Sequence, residues 1–173
     1  MNIEFKPLSK SDGHDIYDML QEIPADENGF INNINGRSYD DYRKWLVACE
    51  DMARGINLED WMVPQGNYWL YVDGKPVGMG KLRHRLTEKL QADGGHAGYS
   101  IIPSHRSRGF GKLLLKKLIA EAQRIGIDKL LLTVRNYNTA SIKVALANGG
   151  VIEKVNDERH YIWIDCADVQ AER

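Results

Sequence analysis

The chain has 173 residues, 43% hydrophobic and 27% charged, enough for one domain spanning 1–173 that buries roughly two-thirds of its unfolded surface without a metal or disulfide staple. That composition excludes a chain disordered throughout, and the lack of a long uncharged apolar run excludes a helical membrane span. The net charge of −1 divides into −7 over residues 1–60 and +6 over residues 61–173, which argues against a uniformly basic nucleic-acid-binding face and fits one anionic ligand held by the second half and a cationic one approached by the first. In chain order, residues 2–6 are predicted as a first strand. Residues 11–21 carry Ile16, Met19 and Leu20 at helical spacing, with Ser11 or Asp12 as cap. The Asn-, Gly- and Asp-bearing stretch 24–37 reads as a loop. Ser38 caps a second helix with Asp40 and Asp41 in its first turn and Tyr42, Trp45, Leu46 and Cys49 on one side.

From Asn67 the pattern becomes extended. Tyr68 to Val72 is a strand by composition, Asp73-Gly74 a hairpin turn, and residues 76–83 the returning strand. After a polar link, residues 95–102 form another strand, stopped by Pro103. Residues 109–125 make the longest amphipathic helix, with Phe110, Leu114, Leu118, Ala122 and Ile125 along one face and Gly126 at its end. A strand over 129–134, a helix capped by Asn138 and running to Ala147, and strands over 151–155 and 160–164 complete the chain. Helices interleaved with strands give an α/β (α+β) class, a twisted mixed sheet with helices on both faces. The N-terminal segment has no apolar core of a signal peptide, and Cys49 and Cys166 lie far apart, so a reducing cytoplasm is the expected setting.

The segment from Gly98 to Lys112 carries the most chemistry: a strand, a proline stop, a short basic loop, then Gly109-Phe110-Gly111 opening a helix. Glycine lets backbone amides approach a ligand, and the unpaired N–H groups of a first helical turn attract an anion. Arg106, Ser107, Arg108 and Lys112 complete what reads as a pyrophosphate cradle. A P-loop is ruled out because Leu113 follows Gly111-Lys112 and Arg106 stands at the first glycine. A dinucleotide fingerprint is ruled out because Leu114 stands at its last glycine. No Cys-x-x-Cys or His-x-x-x-His occurs, so no metal site is expected, and no Gly-x-Ser-x-Gly elbow occurs.

Arg106-Ser-Arg-Gly109-Phe-Gly111, preceded by Ile101-Ile102-Pro103, resembles the acetyl-CoA signature of the GCN5-related N-acetyltransferase (GNAT) family. The downstream Asn138, Ser141 and Gly149 fit its later pattern. The likeness covers about residues 67–164 and, more loosely, the first 60. Leu82 to Leu86 and Gly94 to Ser100 are similar to a bacterial subgroup of acetyltransferases. The resemblance implies the acyl-CoA N-acyltransferase fold and direct transfer of an acetyl group from acetyl-CoA to an amine. It places pyrophosphate on the 106–112 loop and the pantetheine arm on backbone amides around Ile101 and Ile102. Many family members place a tyrosine seven residues after the asparagine as proton donor to the thiolate; here that residue is Ala145.

The general base and acid are therefore sought among His96, Tyr99 and Tyr137. His96 suits proton transfer by its ordinary pKa, and an ordinary strand histidine is the alternative. Tyr99 is pocket wall or acid. Strand alternation puts His96, Gly98 and Ser100 on one face and Ala97, Tyr99 and Ile101 on the other. The acceptor is expected to be a small-molecule or peptide amine, with no nucleic acid or membrane partner, and a homodimer is compatible with the sequence. A non-catalytic acyl-CoA-binding domain and a protein-interaction module are the rival readings.

Overall fold

A computed structural model describes residues 1–168 of the chain. The elements run β1 (Ile3–Pro7), α1 (His14–Glu22), β2 (Asp26–Glu27), β3 (Phe30–Ile31), α2 (Tyr39–Ala53), β4 (Gln65–Val72) and β5 (Lys75–Arg83). They continue with α3 (Glu88–Ala92), β6 (Ala97–Ile101), α4 (Phe110–Arg124), β7 (Lys129–Arg135), α5 (Thr139–Ala147), β8 (Val151–Val155) and β9 (Arg159–Asp165). One sheet has the order β1-β4-β5-β6 and another the order β7-β9-β8, and every ladder in both is antiparallel.

Strand alternation sorts the first sheet's side chains. Trp69 of β4 pairs with Met79 of β5, and Met79 with Ser100 of β6. These three, with Lys81, Arg83 and Gly98, share the face that carries α1 and α2. Trp69 is fully buried, packs against Trp45 of α2 and donates its Nε1–H to Asp12 Oδ2 at 2.8 Å. The opposite face carries α4, whose Phe110, Leu114, Leu115, Leu118, Ile119 and Ala122 are buried. Each of the Phe, Leu and Ile side chains contributes about 1.5–3 kcal/mol through burial. Gly78 and Gly80 of β5 let α4 approach, since a Cβ at Gly80 would lie 2.9 Å from Leu118. The α/β class with helices on both faces therefore stands, but the sheet is divided in two and its ladders are antiparallel rather than mixed, because β6 and β7 part instead of pairing.

Local signals set several boundaries. Ser38 Oγ accepts the Asp41 N–H at 3.1 Å and starts α2. Asp73 and Gly74 both have positive φ, 49° and 79°, as a two-residue hairpin turn requires. Two expectations change. Neither Ser11 nor Asp12 caps α1, which follows Gly13; Asp12 Oδ2 instead receives the Ser9 N–H and Trp69. The stretch 24–37 is not loop throughout, because β2 and β3 form a hairpin across Asn28-Gly29, with φ of 55° and 86°.

The two sheets meet at one seam. The His96 N–H donates to Leu131 O at 2.8 Å, and the Leu131 N–H donates to His96 Nδ1 at 2.9 Å. The Gly94 N–H reaches Thr133 Oγ1 at 2.9 Å. Beyond this seam β6 and β7 part, leaving each as an edge strand of its own sheet.

Candidate active site

The gap between the edges of β6 and β7 is a cavity of about 540 Å³. Register decides which backbone groups of β6 face it. The Ile102 N–H donates to Val77 O of β5 at 2.9 Å, and alternation turns the N–H groups of Tyr99 and Ile101 the other way, into the gap. Ile101 O accepts Arg106 Nε at 2.9 Å. The expected role of Ile102 is thus corrected. Its N–H is taken by Val77, its carbonyl accepts from His105, and its side chain is fully buried. Tyr99 and Ile101 hold the open amides.

At one end of the gap the loop 106–112 turns into α4. Ser107 has φ 58° and Gly109 φ 85°, while Arg108 between them keeps negative φ. Such alternation of hand aims successive N–H groups at one point, a concavity suited to anions. The first-turn N–H groups of α4 have no helical carbonyl to bond. A Cβ on Gly109 would meet nothing within 4 Å, so the space before the loop is open. Gly111 and Lys112 line the cavity. Arg108 instead lies over the Phe110 ring at 5.3 Å, and the Phe110 side chain belongs to the core. Arg106 is engaged by Glu27, whose Oε1 lies 2.7 Å from its Nη2. A pyrophosphate fits this loop through its backbone and the exposed cations.

Tyr99 leans from β6 toward the helices. Its hydroxyl lies 2.9 Å from Ser141 Oγ, and burial pushes its pKa up to about 12. Asn138 caps α5 by accepting the Ser141 N–H at 3.3 Å, which fixes Ser141 opposite Tyr99. Ala145 is fully buried. Tyr137, at 69% exposure, points to solvent.

His96 stands apart from this group. It is 6% exposed, and burial, with the Arg83 charge behind it, lowers its pKa to about 4. Its Nδ1 is occupied by the Leu131 N–H, and it does not line the cavity. The seam holds it for structure, so it does not sit with Tyr99, as the alternation of the strand foretold.

The far end of the cavity contains residues the sequence reading passed over. The β2–β3 hairpin lies along the cavity from Glu27, beside Arg106, to Phe30 and Ile31 near Lys81 and Gly29 near Arg135. Lys81 and Arg83 project from β5, Arg135 from β7 and Arg159 from β9. Lys81 Nζ donates to Ile31 O and lies over the Phe30 ring at 4.4 Å. Burial and then the Arg83 charge lower its pKa to about 8. The i, i+2 spacing of Lys81 and Arg83 was the one signal in the sequence. Of the acids of the first 60 residues, Glu27 alone lines the cavity. Asp12 and Asp15 bond Trp69 and Tyr71, Asp40 and Asp41 lie in the first turn of α2, and Glu27 pairs with Arg106.

A family model described as acetyltransferase (GNAT) family matches residues 29–149. A search of curated proteins finds no match. Among solved structures, the GNAT domain of S. lividans PAT is 15% identical, covering 94% of this chain and 90% of that one, with TM-score 0.65. RimL, a ribosomal L7/L12 alpha-N-protein acetyltransferase in complex with coenzyme A, is 17% identical, covering 97% of each chain, with TM-score 0.67. The Campylobacter jejuni N-acetyltransferase PseH in complex with acetyl coenzyme A is 15% identical, covering 95% and 99%, with TM-score 0.58. At these identities the likeness establishes the fold.

Proposed function

Because the chain belongs to the acetyltransferase (GNAT) family, whose general activity is acetyl transfer from acetyl-CoA, we propose that this protein acetylates a primary amine by direct transfer in a ternary complex. The observation that carries the reading is the gap between β6 and β7, ending on a loop left-handed at Ser107 and Gly109. Acetyl-CoA supplies the activated acetyl group as a thioester. The backbone N–H groups of residues 107–112, with Lys112, would hold its pyrophosphate. The N–H groups of Tyr99 and Ile101 would bond the pantetheine arm in the manner of an added strand and orient the thioester.

In the transfer the acceptor nitrogen bonds to the acetyl carbon, the carbon–sulfur bond breaks, the nitrogen loses a proton and the sulfur gains one. Tyr99 is the donor of that second proton. Its hydroxyl is protonated at neutral pH, reaches the helix side of the gap and is held by Ser141. Most of the rate comes from placing the amine beside the thioester. The buried Ala145 favours a second reading, a domain that binds acyl-CoA without turnover.

Thiol release from acetyl-CoA over a panel of amines separates the two readings. With an accepted amine, Tyr99→Phe is expected to lower kcat by about 10²–10⁴-fold with CoA affinity kept, while Tyr137→Phe changes it only a few-fold. Wild-type rates in both variants would assign the proton to water, and no thiol release with any amine would support the binding domain.

A further inference from the structure

Resting on the acetyl-transfer reading of this cleft, we propose that its acceptor is a small amine that also carries an oxyanion, a carboxylate or phosphate, received by the guanidinium groups of Arg83 and Arg135. The charges facing this end of the cavity do not cancel. Arg159 is balanced, with Asp93 Oδ1 at 3.2 Å and Glu158 Oε2 at 2.7 Å. Those two acids are thereby occupied, and Glu27 is held by Arg106. Arg135 and Lys81 have no carboxylate partner among the described residues, and Arg83 has none within ion-pairing distance although the Asp93 charge acts on it. Four cations, Lys81, Arg83, Arg135 and Arg159, thus face the two acids Asp93 and Glu158.

Arg83 gives only Nη1 to protein, to the carbonyls of Gly94 and Gly95 at 3.2 and 3.1 Å. Its other nitrogens have no hydrogen-bond partner among the described residues, yet no buried side-chain nitrogen there is left unbonded, so they are accessible, on a residue that lines the cavity. Arg135 lies in register with Arg159 and comes within 3.6 Å of where a Cβ on Gly29 would stand, beneath the hairpin. Two planar forks, one on each sheet, suit the paired oxygens of a carboxylate or phosphate. The hairpin's Phe30 and Ile31, near Lys81 at this end, favour a small molecule. The same cations repel an ammonium, so they disfavour a polyamine and leave a bound acceptor amine more readily as the neutral nucleophile.

The test uses protein saturated with CoA, so that the 106–112 loop is filled. Inorganic phosphate, acetate and putrescine are titrated separately while the side-chain Nε–H resonances of Arg83 and Arg135 are followed. Phosphate or acetate is expected to shift both signals saturably, the stronger of the two naming the oxyanion, and putrescine to shift neither. Arg135→Gln should weaken that binding by about 10- to 100-fold, the worth of a charge-assisted hydrogen bond, with CoA affinity unchanged. Arg83→Lys should weaken it too, and serves because Arg83→Gln loses the bonds to Gly94 and Gly95. Failure of CoA to bind would overturn the acetyl-transfer reading itself. CoA bound, with neither anion moving the two signals, with putrescine moving them, or with the variants binding as the wild type, would overturn the anionic acceptor.

Discussion

At His96 the surroundings, rather than the imidazole's own chemistry, decide the role. Its ring joins two sheets through the Leu131 N–H, and burial holds its pKa near 4, below the ordinary 6.5. Between those values the unfolded chain binds a proton that the folded chain refuses. Stability is therefore complete above pH 6.5 and falls as pH drops toward 4. His96→Gln, which keeps an acceptor for Leu131, should be less stable than wild type at pH 7 but flatter across that window when unfolded with urea. Equal slopes in the two proteins would show that His96 is not the titrating group. Proton-accepting power made His96 a candidate in the sequence. Its distance from the cleft comes from Leu131, 35 positions away, which no local pattern contains.

At the scale of elements, the seam between β6 and β7 is what creates the cleft. Gly95 sits in it with φ 61°, and a Cβ there would lie 2.5 Å from Leu131 O. Gly126, after α4, has φ 92° with nothing within 4 Å of a Cβ. Gly95→Ala should cost about 3 kcal/mol or more in urea unfolding, from strain and the clash together. Gly126→Ala should cost only the left-handed backbone penalty, about 1–2 kcal/mol. Equal losses would mean that the sheets do not depend on this contact. Elements set by neighbours in sequence were legible: the Ser38 and Asn138 caps, the Asp73-Gly74 turn, the stripe of α4 and the loop into it. The β2–β3 hairpin was missed although Asn28-Gly29 marks it, because its strands are two residues each and carry no period. Helix α3 was missed as a five-residue piece within a polar link.

For the whole molecule, the division of charge along the sequence does not become two oppositely charged halves of a site. Of the acids in the first 60 residues, Asp12 and Asp15 bond aromatic side chains, Asp40 and Asp41 lie in the first turn of α2 and Glu27 pairs with arginine, while cations from β5, β7 and β9 gather at one end of the cavity. That gathering draws on positions from 81 to 159, and its one signature in spacing is the i, i+2 pair Lys81 and Arg83. The other end was readable because its strand, loop and helix start lie together between Tyr99 and Lys112. The central claim, that this end holds CoA, is tested most directly by thermal unfolding with and without CoA, in the wild type and in Gly109→Glu. CoA at about 100 times its Kd should add roughly 2.7 kcal/mol, raising the wild-type Tm by about 5–10 °C. The variant, folded but with a carboxylate in the open space before the loop, should show no rise. A wild-type Tm unmoved by millimolar CoA, or an equal rise in Gly109→Glu, would contradict the account.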